Sequence, residues 1–130
     1  MINNTLLVTQ KIDFGSMRWG SIAPTDVDLK IDFNGHLVEI EAKQTGKELL
    51  WSQCFAMENQ IKARSSEYKY LGIVVEHDFI EPNHPILIDK CRIVQFISTD
   101  SRGWKTIQNC SVKEFIDAWR EKYQIKGIGG

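Results

Sequence analysis

The chain has 130 residues, 42% of them apolar and 25% charged, with 16 Lys and Arg against 17 Asp and Glu. That is enough for one domain with a buried core, and a net charge of −1 leaves no basic surplus, so any grip on nucleic acid must come from a local patch. No apolar run approaches the roughly 18 residues of a membrane span, and the N-terminus lacks the pattern of a signal peptide, so a cytoplasmic protein is expected.

No repeat, low-complexity tract or linker divides residues 1–130, which read as a single domain. Cys54, Cys91 and Cys110 are odd in number and widely spaced, which suits reduced structural thiols better than a disulfide framework or a zinc site. Ile2 and Leu6-Leu7-Val8 begin either a short helix or a strand. Phe14–Ala23, punctuated by Gly15, Gly20 and Pro24, reads as a loop carrying anchoring aromatics. Within it Trp19 packs over the sheet with Arg18 at the surface, or Arg18 contacts a phosphate at the rim of a site.

The organising stretch is Pro24–Lys43. Asn34-Gly35 lies between two alternating apolar and polar runs, the pattern of a two-residue hairpin. Phe33 then faces His36, Lys30 faces Glu39, Asp28 faces Glu41 and Asp26 faces Lys43. Because side chains alternate along a strand, Leu29, Ile31, Phe33, Val38, Ile40 and Ala42 share an apolar face. Asp26, Asp28, Lys30, Glu39, Glu41 and Lys43 share the other, where Lys30, Asp32 and Glu39 read as solvated charges. Opposed residues bring their Cβ atoms to about 4.5–5.5 Å, and like charges there destabilise a sheet. Asp28 against Glu41 breaks the preference for opposite charges, and local rules tend to fail at functional sites. A divalent cation would relieve the pair, since Mg²⁺ takes one or two carboxylates, waters and phosphate oxygens.

Thr45-Gly46-Lys47-Glu48 reads as a capping box opening a helix over about Gly46–Ala63. Leu50, Cys54, Met57 and Ile61 form its buried stripe, widened by Trp51 and Phe55. Gln53 lies beside that stripe. Lys47, Lys62 and Arg64 are exposed, either as solubilising charges or tracking a nucleic-acid backbone. Tyr70–Glu76 is a β-branched central strand, reached by a crossover that makes it parallel to its predecessor. His77, Asp78 and His84 read as surface residues rather than metal ligands. Ile86–Ile88 is extended, Arg92–Thr99 is another strand, and Trp104–Ile107 pairs back across a turn at Asp100–Gly103. Ser111-Val112-Lys113-Glu114 is a second capping box, opening a helix whose stripe is Val112, Phe115, Ile116, Trp119 and Tyr123. Gly127 and Gly129-Gly130 end the chain as a flexible tail. The pattern predicts an α/β fold, a twisted mixed sheet of about four or five strands flanked by helices.

Asp28 followed by Glu41-Ala42-Lys43 on consecutive hairpin strands resembles the PD-(D/E)XK nuclease motif. Arg18–Asp28 resembles the segment preceding it in small phage and prophage members, and Gln53 matches a glutamine common on the following helix. The resemblance spans roughly residues 14–76. It implies a small restriction-endonuclease-like fold and a Mg²⁺- or Mn²⁺-dependent endonuclease acting on nucleic acid, DNA above all. Asp28, Glu41 and the backbone carbonyl of Ala42 would hold the metal, with Lys43 and Gln53 completing the catalytic set. Arg18 and Lys47 would contact the nucleic acid. Asp26 opposite Lys43 favours a charged lysine and an electrostatic role. Many relatives add an acid from an N-terminal helix. Asp13, the only early acid, has no helical context, which leaves one or two metals open. Relatives often act as homodimers or in larger complexes. The alternative is a catalytically silent module of the same fold that binds nucleic acid or a protein partner, such as a phage accessory or inhibitor protein.

Overall fold

A computed structural model describes residues 29–47, 51–65, 67–78, 87–101 and 103–125, with the side chains of residues 51 and 52 excluded. The expectations for the N-terminal segment, including Arg18, Trp19, Asp26 and Asp28, lie outside these residues. So do those for Glu48, Leu50, His84 and the glycine tail.

Strand β1 (Leu29–Phe33) turns through Asn34-Gly35 into β2 (His36–Gln44). Both turn residues have positive φ, 56° and 96°, which selects the type I′ turn that matches strand twist. Asp32 Oδ1 accepts a hydrogen bond from the Gly35 amide at 2.6 Å. The register is the predicted one: Phe33 opposite His36, Lys30 opposite Glu39, Leu29 opposite Ile40. Helix α1 (Trp51–Ala63) follows, then β3 (Tyr70–His77), β4 (Arg92–Ser98) and helix α2 (Val112–Lys122). Among the described residues the strands form one mixed sheet in the order β1-β2-β3-β4, antiparallel, parallel, antiparallel. The fold is α/β, as the sequence pattern predicts.

The apolar stripe of α2 explains one side of the core. Val112, Ile116 and Trp119, with Ile125, pack on Val38, Ile40, Leu71, Ile73, Val75 and Ile93. On the other side Met57 of α1 packs with Leu37, Tyr70 and Ile97. Strands β2 and β3 are therefore covered on both faces. Each buried Val, Leu or Ile contributes about 1.5–3 kcal/mol of transfer free energy. The predicted capping box at Ser111 forms: the hydroxyl accepts from the Glu114 amide at 3.1 Å, and Glu114 Oε1 accepts from the Ser111 amide.

Four expectations are corrected. Gly46 sits at φ +85° in a turn, a left-handed conformation a helix cannot use, and Thr45 Oγ1 donates to the His77 carbonyl at 3.1 Å instead of capping a helix. Phe55 is 40% exposed and does not join the buried stripe. Ile88 lies in a 3-10 turn, Ile88–Lys90, rather than an extended segment. Trp104–Ile107 makes a single bridge, Lys105 with Phe96, in place of a hairpin strand.

One irregularity shapes the sheet. Val74 pairs with Gln95, but Val75 pairs with Ile93, so β4 carries an extra residue at Val94. Such a bulge offsets the alternation of side chains. Gln95 and Ile97 face α1, whereas Ile93 joins the core under α2.

Candidate active site

The face of β2 that meets α1 carries Leu37, Glu39, Glu41 and Lys43. The polar ones form a line along the strand. Glu39 is 5% exposed and Glu41 3%, and burying a carboxylate is costly unless it is hydrogen-bonded or paired. Both have donors. Tyr70 Oη donates to Glu39 Oε1 at 2.8 Å, and Gln53 Nε2, from the first turns of α1, donates to Glu41 Oε2 at 3.1 Å. Glu39 is thus a buried group rather than the solvated charge expected from strand alternation.

Tyr70 reaches Glu39 by lying along its own strand over Gly72. A Cβ at Gly72 would come within 2.9 Å of both Tyr70 Oη and Met57 Sδ, so only glycine leaves room for the ring. Burial, then the charge of Glu39 and its accepted hydrogen bond, push the phenol pKa well above its ordinary value, keeping Tyr70 a donor. Cys54 lies nearby, its amide neighbour Gln95 Nε2 at 3.9 Å from Sγ. Burial and the charges of Glu58 and Glu41 push its thiol pKa up, which disfavours a thiolate nucleophile.

Lys43 Nζ donates to Glu76 Oε2 at 3.1 Å and to the Lys47 carbonyl at 2.8 Å. Glu76 stands opposite Lys43 in the β2–β3 register and opposite Arg92 in the β3–β4 register. Arg92 ion-pairs with its other oxygen. Glu76 is a site residue that the sequence reading missed, because its partners come from strands far apart in the chain. Its only signal was a carboxylate closing an apolar run.

The structure therefore brings Gln53 to Glu41 and places Lys43 on the same strand face, two residues on, where it is held by Glu76. Lys47 joins through its backbone, its side chain exposed. Arg64 does not join: it donates to the Gly35 carbonyl at the hairpin end, about 26 Å along β2 from Lys43 at ~3.3 Å per residue. Arg18 and Asp28 lie outside the described residues. Among the described residues no three carboxylate, imidazole or thiol groups gather as a metal cage. What they offer a cation is the Glu41 carboxylate, a hard oxygen donor of the kind Mg²⁺ prefers. No helix among them is long and apolar enough to cross a membrane. No family model, curated protein or solved structure matches the chain.

Proposed function

We propose that the chain is a metal-dependent nuclease of the PD-(D/E)XK type, hydrolysing phosphodiester bonds of nucleic acid, DNA first. One observation carries this reading: Gln53 reaches from the helix to Glu41 at 3.1 Å, with Lys43 two residues further along the same strand face. In this reading Asp28, Glu41 and the carbonyl of Ala42 hold Mg²⁺ or Mn²⁺. A cation bound there supplies polarisation of the scissile phosphate and a water of lowered pKa.

The chain's own residues do the rest. Gln53 fixes the orientation of the Glu41 carboxylate. Two of the three donors on the Lys43 ammonium are engaged by Glu76 and the Lys47 carbonyl. The third is directed to the attacking water or a phosphoryl oxygen. An ammonium held in an ion pair works through its charge, stabilising negative charge that develops in the transition state. Arg18 and Lys47 contact the nucleic-acid backbone. The enzyme acts in the cytoplasm of a bacterial or phage-infected cell, alone, as a homodimer or in a larger complex.

Cleavage assays with Mg²⁺ and Mn²⁺ test this. Lys43→Ala abolishes cleavage with the fold retained by circular dichroism, and Gln53→Ala costs less. Wild-type rates in both Lys43→Ala and Glu41→Ala would assign any activity elsewhere. A second reading, the catalytically silent module binding nucleic acid or a protein, is favoured by the engagement of Lys43 with Glu76 and by the net charge of −1. It takes over if the wild-type protein cleaves nothing under any divalent metal.

A further inference from the structure

A cleft of about 620 Å³ opens beside the Lys43–Glu76–Arg92 chain, lined by Glu76, Arg92, Ile93 and Val94 on one side and Thr106–Cys110 on the other. Its origin is local. Lys105 and Phe96 exchange two backbone hydrogen bonds of 2.8 Å, but that bridge is isolated. Beyond it the chain peels away from β4 just where the bulge bends the strand. Among the described residues, the edge of β4 from Val94 to Arg92 therefore faces a gap instead of a ladder partner.

The lining is of two kinds. Ile93, Val94 and Ile107 give apolar walls, while Thr106, Gln108 and Asn109 bring a hydroxyl and two side-chain amides alongside the strand edge. Among the described lining residues the charges are Glu76 and Arg92, which ion-pair with each other, and the Arg92 side chain stays 68% exposed at the mouth. An apolar slot with a few placed donors and acceptors, in the size range of small-molecule sites, suits a flat heteroaromatic ring. An exposed guanidinium at its mouth suits the phosphate attached to that ring. An extended peptide fits less well: the bridge at Phe96 closes the slot about 13 Å from Arg92 at ~3.3 Å per residue.

Resting on the nuclease reading above, we infer that this cleft receives one unpaired nucleotide next to the scissile phosphate, so that the substrate is single-stranded or locally unpaired nucleic acid. The base enters between Val94 and Ile107, Gln108 and Asn109 hydrogen-bond its edge, and Arg92 holds its phosphate. A base inside a duplex reaches such a slot only after leaving the stack, at a cost of a few kcal/mol.

The test is metal-free binding in EDTA, followed by amide chemical shifts, with thymidine 5′-monophosphate, a short oligothymidylate and a duplex of equal length. Shifts concentrate at Ile93, Val94 and Thr106–Cys110, and the oligothymidylate binds about tenfold tighter than the monophosphate and the duplex, about 1.4 kcal/mol. Thr106→Trp fills the cleft from its exposed rim and Gln108→Ala removes an exposed amide; each weakens oligothymidylate binding about tenfold with core resonances unmoved. Asn109→Gly does the same while preserving the left-handed backbone at φ 57°. Unchanged binding by Thr106→Trp and Gln108→Ala, shifts elsewhere, or equal affinity for monophosphate, duplex and single strand would overturn the inference. Cleavage without cleft binding sinks the cleft and spares the nuclease reading. Cleft binding without cleavage under Mn²⁺ does the reverse.

Discussion

Lys43 and Glu76 face each other across the parallel β2–β3 pair, Nζ 3.1 Å from Oε2, and Arg92 closes on the other oxygen of the same carboxylate. The three side chains come from three adjacent strands. One anion thus holds two cations in place at the edge of the cleft.

That sharing predicts an asymmetry. Glu76→Gln removes the anion from both cations and costs about 1.5–3 kcal/mol, the range of hydrogen bonds to charged groups. Lys43→Met costs less, since Arg92 still neutralises Glu76. Urea denaturation of both variants and the double mutant yields the coupling. Equal costs with zero coupling would mean that the chain of charges is solvent-screened and structurally idle.

Gln53 can be tested apart from any activity. Gln53→Ala strips a buried carboxylate of an amide donor and destabilises the protein by about 1–3 kcal/mol. Gln53→Glu sets a carboxylate against Glu41 and costs more at pH 8 than at pH 5, where protonation relieves the repulsion. Chemical denaturation at both pH values reads the difference. A pH-independent penalty would show that the two side chains do not meet.

Tyr70 and Gly72 form a third testable pair. Tyr70→Phe leaves the Glu39 oxygen without its phenol and costs about 1–3 kcal/mol. Gly72→Ala forces its Cβ against Tyr70 Oη and Met57 Sδ, and overpacking of this kind costs about 1–3 kcal/mol. Removing the phenol oxygen relieves one of these contacts, so the double variant is less destabilised than the two single costs added. Strict additivity by thermal melts would count against the ring lying over Gly72.

How far the fold was legible depends on whether the signal was local. Asn34-Gly35 dictated the hairpin and its register, and Ser111–Glu114 with its apolar stripe dictated α2. Gln53 was legible as a residue beside the buried stripe of its helix, but its hydrogen bond to Glu41 was not, because that depends on how α1 docks on β2. Glu39 was misread because alternation tells which residues share a face, not whether a helix and Tyr70 later cover it. Thr45 has the chemistry of a cap, but Gly46 at positive φ turned its hydroxyl to the His77 carbonyl. Glu76 and the offset at Val94 depend on pairing between distant strands, which no local window contains.

Alkaline pH supplies a fourth prediction. Burial, then the hydrogen bond to Asp100 and its charge, push the Tyr123 phenol up to about 12 from an ordinary 10, and Tyr70 is raised as well. A folded-state pKa above the unfolded one means that the native state binds the proton more tightly. The associated stability is fully present below about pH 10 and is lost as pH rises through the folded value. Melting temperature therefore falls between about pH 10 and 12, and Tyr123→Phe flattens part of that fall. An unchanged profile in Tyr123→Phe would show that Asp100 does not hold the phenol.

The offset at Val94 has a consequence for how the site is encoded. If the pairing that sets Gln95 opposite Val74 ran on with Val94 taken into the ladder, Ile93 would stand opposite Glu76 and Arg92 would turn toward the far side of the sheet. The guanidinium at Glu76 therefore depends on which residue the ladder leaves out as much as on the arginine codon. Deleting Val94 would remove the offset and leave Arg92 opposite Glu76 in an unbroken ladder, whereas taking Val94 into the ladder would exchange a cation for a hydrocarbon there and push a charge toward the core under α2. Substitution scans would pass over this stretch as a run of aliphatic residues, whereas one residue inserted between Arg92 and Ile93 would displace the guanidinium from Glu76.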